Sequence, residues 1–237
     1  FTRIRFQICE SIALNKTNIY FGLEFIIALA EQCFLNEYVY SSSLEENRYL
    51  EEIIYNCKNR DINENNISIL ACYFPIYKLI DRIPAIESFS SLDENFNELM
   101  TVQLLEPKKE IELSKSIKQL GLINDKTSKL VKSQYEDNPY PRWKYTDPSI
   151  DLKLSASEII NLSIKPNKIN EIIYKRELKI LIAGCGTGKH ILNAQNYNKS
   201  KILAIDLSLS SLSYAKRKID ELGINNVDFI QMDLLEA

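Results

Sequence analysis

Apolar residues recur at intervals of three and four from Ile19 to Tyr40, at Ile19, Leu23, Ile26, Ile27, Ala30, Cys33 and Phe34, with Thr17 and Asn18 ahead of them as candidate N-caps. That spacing predicts a helix with one buried face. Ser43-Leu44-Glu45-Glu46 has the form of a capping box, in which the serine oxygen and the glutamate side chain each satisfy a backbone N–H left over at a helix start. Leu50, Ile53, Ile54 and Cys57 give the second helix its apolar stripe. Asn63 to Asn66 reads as a polar turn, and Ile67 to Tyr73 as a third helical segment that Pro75 should kink or end. Pro107, Glu110, the stripe Ile111, Ile117 and Leu120, and Gly121 past the end predict a further short helix. Consecutive helices with short polar links make an all-α bundle or array, and no repeat of roughly 34 residues supports a solenoid from period alone.

The pattern changes at Leu178. Leu178 to Ala183 is a short apolar run rich in β-branched residues, the form of a buried parallel strand. It leads into Gly184-Cys185-Gly186-Thr187-Gly188 and then a helical stretch from Lys189 to Asn196. Strand, glycine turn and helix in that order are the setting in which bare backbone can lie against a ligand. Lys201 to Ile205 is a second strand ending at Asp206, where a carboxylate is placed to accept hydrogen bonds from ribose hydroxyls. Ser208 to Ser211 caps a helix that turns Leu212, Ala215 and Ile219 inward and stops at Gly223, and Val227 to Gln231 is the third strand, leading to Asp233 and Leu234. Acids thus stand at two successive strand tips of a doubly wound parallel sheet. A dinucleotide fingerprint wants G-x-G-x-x-G, and the position it needs holds Lys189, the third glycine falling one residue early at Gly188.

Between the two halves lies Tyr135-Glu136-Asp137-Asn138-Pro139-Tyr140-Pro141-Arg142-Trp143, in which Asn138-Pro139 and Tyr140-Pro141 forbid continued helix and hold the chain extended. It is either a linker whose aromatics pack on the nearest domain or a flap over the ligand site, where rings exclude water from a reacting cation.

Composition narrows the function. The 237 residues suit one large domain or two modest ones, and 45% hydrophobic with 26% charged residues is globular usage. A formal net charge of −3 gives no global pull toward a phosphate backbone, so nucleic-acid binding is not expected. No apolar run approaches the roughly 20 residues of a membrane span. Cys9, Cys33, Cys57, Cys72 and Cys185 lack C-x-x-C spacing and read as reduced core thiols of a cytoplasmic protein. With His190 the sole histidine, no metal site is expected, and His190 itself reads as a solvent-facing first-turn residue rather than a base. Cys185 in the loop reads as packed against the sheet, not as a nucleophile.

G-x-G-x-G with an acid after each of the next two strands resembles the class I S-adenosylmethionine-dependent methyltransferases. Leu181 to Gly188, Ala204 to Ser208 and Tyr214 to Lys218 are similar to a bacterial subgroup with an N-terminal helical region often containing tetratricopeptide repeats. Gln32 to Tyr38 and Asn138 to Trp143 extend that likeness into the first half. The resemblance implies S-adenosylmethionine as cofactor, with Gly184, Cys185, Gly186 and Gly188 carrying its amino-acid part, Asp206 at the ribose, Asp233 and Leu234 at the adenine, and Leu207 as a further binding residue. Many members carry Asp or Glu two residues before the first glycine, where this chain has Ile182. No catalytic residue is assigned, since methyl transfer from a sulfonium needs alignment and dryness more than side-chain chemistry.

The expected organisation is α plus α/β: a helical domain over 1–130, a linker or flap over 131–170, and the first half of a Rossmann-like methyltransferase domain over 171–237. Phe1 and Ala237 read as cut ends of a longer enzyme, and the fragment alone is expected to turn over nothing. The methyl acceptor, a small molecule or a protein, stays unidentified, and the helical domain is a candidate surface for a protein partner. The alternatives are an NAD-dependent oxidoreductase and a non-enzymatic helical interaction scaffold.

Overall fold

The computed structural model describes residues 1–16, 21–59, 62–146, 154–169 and 178–236. The candidate N-caps Thr17 and Asn18 and the stretch 171–177 lie outside the described residues. The chain divides into two compact units, Phe1–Lys109 and Glu110–Ala237.

In chain order the first unit is built from α1 (Thr2–Ala13), α2 (Leu23–Leu35), α3 (Leu44–Asn59), α4 (Glu64–Ala71), α5 (Ile76–Leu79) and α6 (Glu94–Met100). A π-turn, Thr101–Leu105, leads into α7 (Glu106–Ser114). The helix that the periodicity begins at Ile19 starts at Leu23, with Gly22 as its extended N-cap. The capping box of α3 forms in full: the Glu46 N–H donates to Ser43 Oγ at 3.1 Å, and the Ser43 N–H to Glu46 Oε2 at 2.7 Å. Asn63, expected within a turn, caps α4 by accepting from the Asn66 N–H, so helix begins at Glu64 rather than Ile67. The helix ends at Ala71, short of the expected Tyr73, and Pro75 serves as N-cap of α5.

The apolar faces of these helices meet in one core containing Ile26, Ile53, Ile67, Leu70 and Phe96, each removed from water and contributing on the order of 1.5–3 kcal/mol. One charged pair lies inside it. Arg5 is buried, stacks 4.0 Å from the centroid of Tyr73, and donates to Glu46 Oε1 at 3.3 Å and to the Ser41 carbonyl at 2.9 Å. Tyr73 also donates to Glu46 Oε1 at 2.7 Å, so the carboxylate has partners on three sides. The five cysteines are free and buried. Burial pushes the Cys9 thiol up to about 12 and the Cys57 thiol to about 11, which makes them packing residues.

The second unit contains β1 (Lys118–Gln119), α8 (Lys126–Asp137), α9 (Ala156–Ser163), β2 (Leu178–Ala183), α10 (Lys189–Ala194), β3 (Ser200–Asp206), α11 (Leu209–Glu221) and β4 (Val227–Gln231), then a 3-10 turn at Leu234–Glu236. The sheet has the order β1-β4-β3-β2 with every pairing parallel, consistent with a Rossmann-like methyltransferase fold. Three expectations need correction here. The stripe Ile111, Ile117 and Leu120 is not one helix: α7 stops at Ser114, and Lys118 and Gln119 pair with Ile230 and Gln231. The sheet therefore has a fourth strand where the sequence suggested three. Third, among the described residues β2 lies at the sheet edge with alternate residues exposed, Leu181 at 60%, rather than buried. Lys179, Leu181 and Ala183 share the exposed face, and Leu178, Ile180 and Ile182 the covered one.

Candidate functional site

Three parallel strand tips converge at one end of the sheet. At β2 the chain turns through Gly184, Gly186 and Gly188, all with positive φ, a region costly for other residues. Gly184 and Cys185 both donate to the Ile205 carbonyl of β3, at 2.9 and 3.0 Å, so the loop is sewn to the neighbouring strand. The Gly186 N–H donates to Asp206 Oδ2 at 2.8 Å, while Asp206 Oδ1 accepts from the Ser208 N–H at 2.9 Å. The Met232 N–H donates to the Asp206 carbonyl, and Gln231 Nε2 to the Leu207 carbonyl, tying β4 to the same point.

These tips open onto a cleft of about 830 Å³, well inside the range of roughly 300–1,000 Å³ usual for small-molecule sites. Of the residues named from the sequence, Gly184, Cys185, Gly186, Asp206, Leu207, Asp233 and Leu234 line it. Gly188 lies elsewhere: a Cβ there would sit 2.7 Å from the Ala215 Cβ, so this glycine lets α11 pack on the loop. Gly184 and Gly186 have nothing within 4 Å of the corresponding position, leaving bare backbone open to a ligand.

Asp233 is 3% exposed. Its Oδ1 accepts from the Leu235 N–H at 3.0 Å, but its Oδ2 is buried without a hydrogen-bond partner. A buried carboxylate oxygen in that state costs free energy until a donor reaches it, and here it borders the cleft. The Cys185 thiol is raised by burial and then by the Asp206 charge, which leaves it unreactive. His190 is exposed and Lys189 joins it on the cleft wall, so a basic side chain stands beside the loop.

For the opposite wall the sequence offered only the proline strip, as a flap, and nothing from the helix before it. Ser128, Val131 and Tyr135 of α8, with Tyr140 and Pro141 of the proline strip, line the same cleft. Two sets of bonds hold this wall. Glu136 accepts from the Leu209 and Ser210 N–H groups at 2.9 and 3.0 Å, capping α11 from 73 and 74 residues away, and Ser208 Oγ donates to the Tyr135 carbonyl. Trp143 Nε1 donates to the Thr187 carbonyl at 2.8 Å, and Thr187 Oγ1 donates to the Pro141 carbonyl at 2.7 Å. Trp143 is itself buried, its backbone N–H donating to Tyr214 Oη and its carbonyl accepting from that hydroxyl. Arg142 and Arg217 converge on Glu110, at 3.8 and 2.8 Å. Burial raises the Glu110 carboxyl above its usual value although both guanidinium groups pull it down. Trp143 anchors the strip to the glycine loop, and Tyr140 lies on the cleft wall.

Among the described residues, no group of three or more His, Cys, Asp or Glu is placed to hold a metal ion, and no helix is long and apolar enough to cross a membrane.

No solved structure matches the chain. A curated relative, an uncharacterized protein of Rickettsia prowazekii (strain Madrid E), is 29% identical over 112 residues, covering 47% of this chain and 40% of that protein. The chain thus spans well under two thirds of the relative it matches. Residues 180–237, which contain the glycine loop and both strand-tip acids, match the family model described as Methyltransferase domain.

Proposed function

We propose that the cleft binds S-adenosylmethionine and that the protein transfers its methyl group to an acceptor not yet identified, a small molecule or a protein. The observation that carries this reading is the orphaned Asp233 Oδ2, a buried acceptor on the cleft that fits the adenine amino group. Asp206 keeps lone pairs beyond its two backbone bonds, which suits it to the ribose hydroxyls, and Leu207 and Leu234 offer apolar contact to the nucleoside. Gly184 and Gly186 leave room for the amino-acid part to lie against the loop, with Lys189 near enough to the cleft to pair with its carboxylate. Bound there, the cofactor would supply an activated methyl on sulfur. The chain's task is then to align donor and acceptor and keep water away, for which no general base need be named.

The helical unit, 1–109, is proposed as a surface for a protein partner in the manner of the subgroup with an N-terminal helical region. Five free buried thiols fit a reducing, cytoplasmic setting.

The test is calorimetric titration of wild-type protein and Asp233→Asn with S-adenosylhomocysteine and S-inosylhomocysteine, whose base carries a carbonyl in place of the amino group. The wild type is expected to prefer the adenine ligand by about 1–3 kcal/mol, and the variant to lose or invert that preference. Equal preference in both proteins contradicts the assignment.

A further inference from the structure

We infer that Tyr140 is a cofactor-binding residue that covers the sulfonium end of S-adenosylmethionine, an inference that rests on the cofactor reading above. Position is the first argument. Pro141, the next residue, accepts from Thr187 Oγ1, and Trp143, three residues on, donates to the Thr187 carbonyl, so the backbone around Tyr140 is fixed directly to the glycine loop. The strip cannot slide along the cleft without breaking both bonds. Tyr140 therefore stands at the loop end, where the amino-acid part of the ligand lies, while Asp233 marks the adenine end.

Exposure is the second argument. The Trp143 ring is drawn into the core at 6% exposed, whereas Tyr140 is left 57% exposed on the cleft wall. Tyr135 stands on the same wall, with its carbonyl bonded to Ser208 two residues past Asp206, which places it nearer the ribose.

Charge is the third. Among the described residues lining the cleft the acids are Asp206 and Asp233, one already bonded to the loop backbone and the other at the far strand tip. A cation held near the loop then has an aromatic face as its neighbour. The face of a tyrosine attracts a cation through its ring quadrupole, and the ring also sheds water from the reacting centre.

S-adenosylmethionine and S-adenosylhomocysteine differ at this point by a methyl group and one positive charge on sulfur. Both are titrated into wild-type protein, Tyr140→Phe and Tyr140→Leu, with the emission of Trp143 as the check that the fold is kept. Tyr140→Leu should weaken the sulfonium ligand by roughly 2- to 30-fold more than the neutral one, and Tyr140→Phe should retain the wild-type ratio. If the wild type binds both ligands and Tyr140→Leu leaves their ratio unchanged, the inference is overturned while the cofactor reading stands. If the wild type binds neither, both fall together.

Discussion

The Gly186 N–H donates to Asp206 Oδ2 at 2.8 Å, joining the glycine loop after one strand to the acid at the tip of the next. Asp206 is therefore two things at once, a clamp on the loop and a wall of the cleft. Asp206→Ala should weaken S-adenosylhomocysteine binding by about 1–3 kcal/mol, the size of a lost charge-assisted bond together with a loosened loop. Calorimetry on the variant checks it. Unchanged affinity would remove Asp206 from the site.

The three loop glycines should not respond alike. A methyl at Gly188 would sit 2.7 Å from Ala215 in a left-handed backbone, so Gly188→Ala should destabilise the second unit by about 1–3 kcal/mol. Gly186→Ala meets only the backbone cost, with open space around it, and its larger effect should be on ligand binding. Denaturant midpoints read against binding titrations separate the two.

Trp143→Phe keeps an aromatic ring in the core but removes the Nε1 bond to the Thr187 carbonyl. We expect a stability loss of about 1 kcal/mol by chemical denaturation, with weaker cofactor binding through the loosened Thr187. In the wild type the same indole, the protein's single Trp, should report ligand binding by a change in emission.

Much of this arrangement was legible in the sequence, and the omissions share a cause. The capping box at Ser43, the helix with Leu212, Ala215 and Ile219 inward, and the strand, loop and helix around Gly184 to Gly188 are local patterns with local consequences. Lys118 and Gln119 have no strand pattern of their own; they pair because the edge of β4 is beside them. Glu136 caps a helix 73 residues further on, a relation no spacing rule encodes. Gly188 matched a ligand motif by position, yet its requirement comes from Ala215, which only packing reveals. Seven of the eight residues named for the cofactor line one cleft; Ser128 and Val131 of α8, on its far wall, needed the fold.

The helical unit should lose stability in acid. Burial tends to raise the Glu46 carboxyl, but bonds from the Ser43 N–H and the Tyr73 hydroxyl, with the Arg5 charge, outweigh it and hold the carboxyl below its ordinary value of 4.5. Since the folded state binds this proton more weakly than the unfolded one, the contribution is present above the unfolded value and is lost as pH falls through the folded value. Glu46→Gln should be less stable at neutral pH and should show a flatter stability profile on the acid side. A variant profile parallel to the wild type would assign the acid sensitivity elsewhere.

The most direct measurement is calorimetric titration of the whole chain with S-adenosylmethionine and, separately, with NADH. The account predicts saturable one-to-one binding of S-adenosylmethionine, abolished or strongly weakened in Asp206→Ala with Asp233→Asn, and none for NADH. Binding of NADH in preference, or no binding of S-adenosylmethionine by the folded wild-type protein, would contradict it.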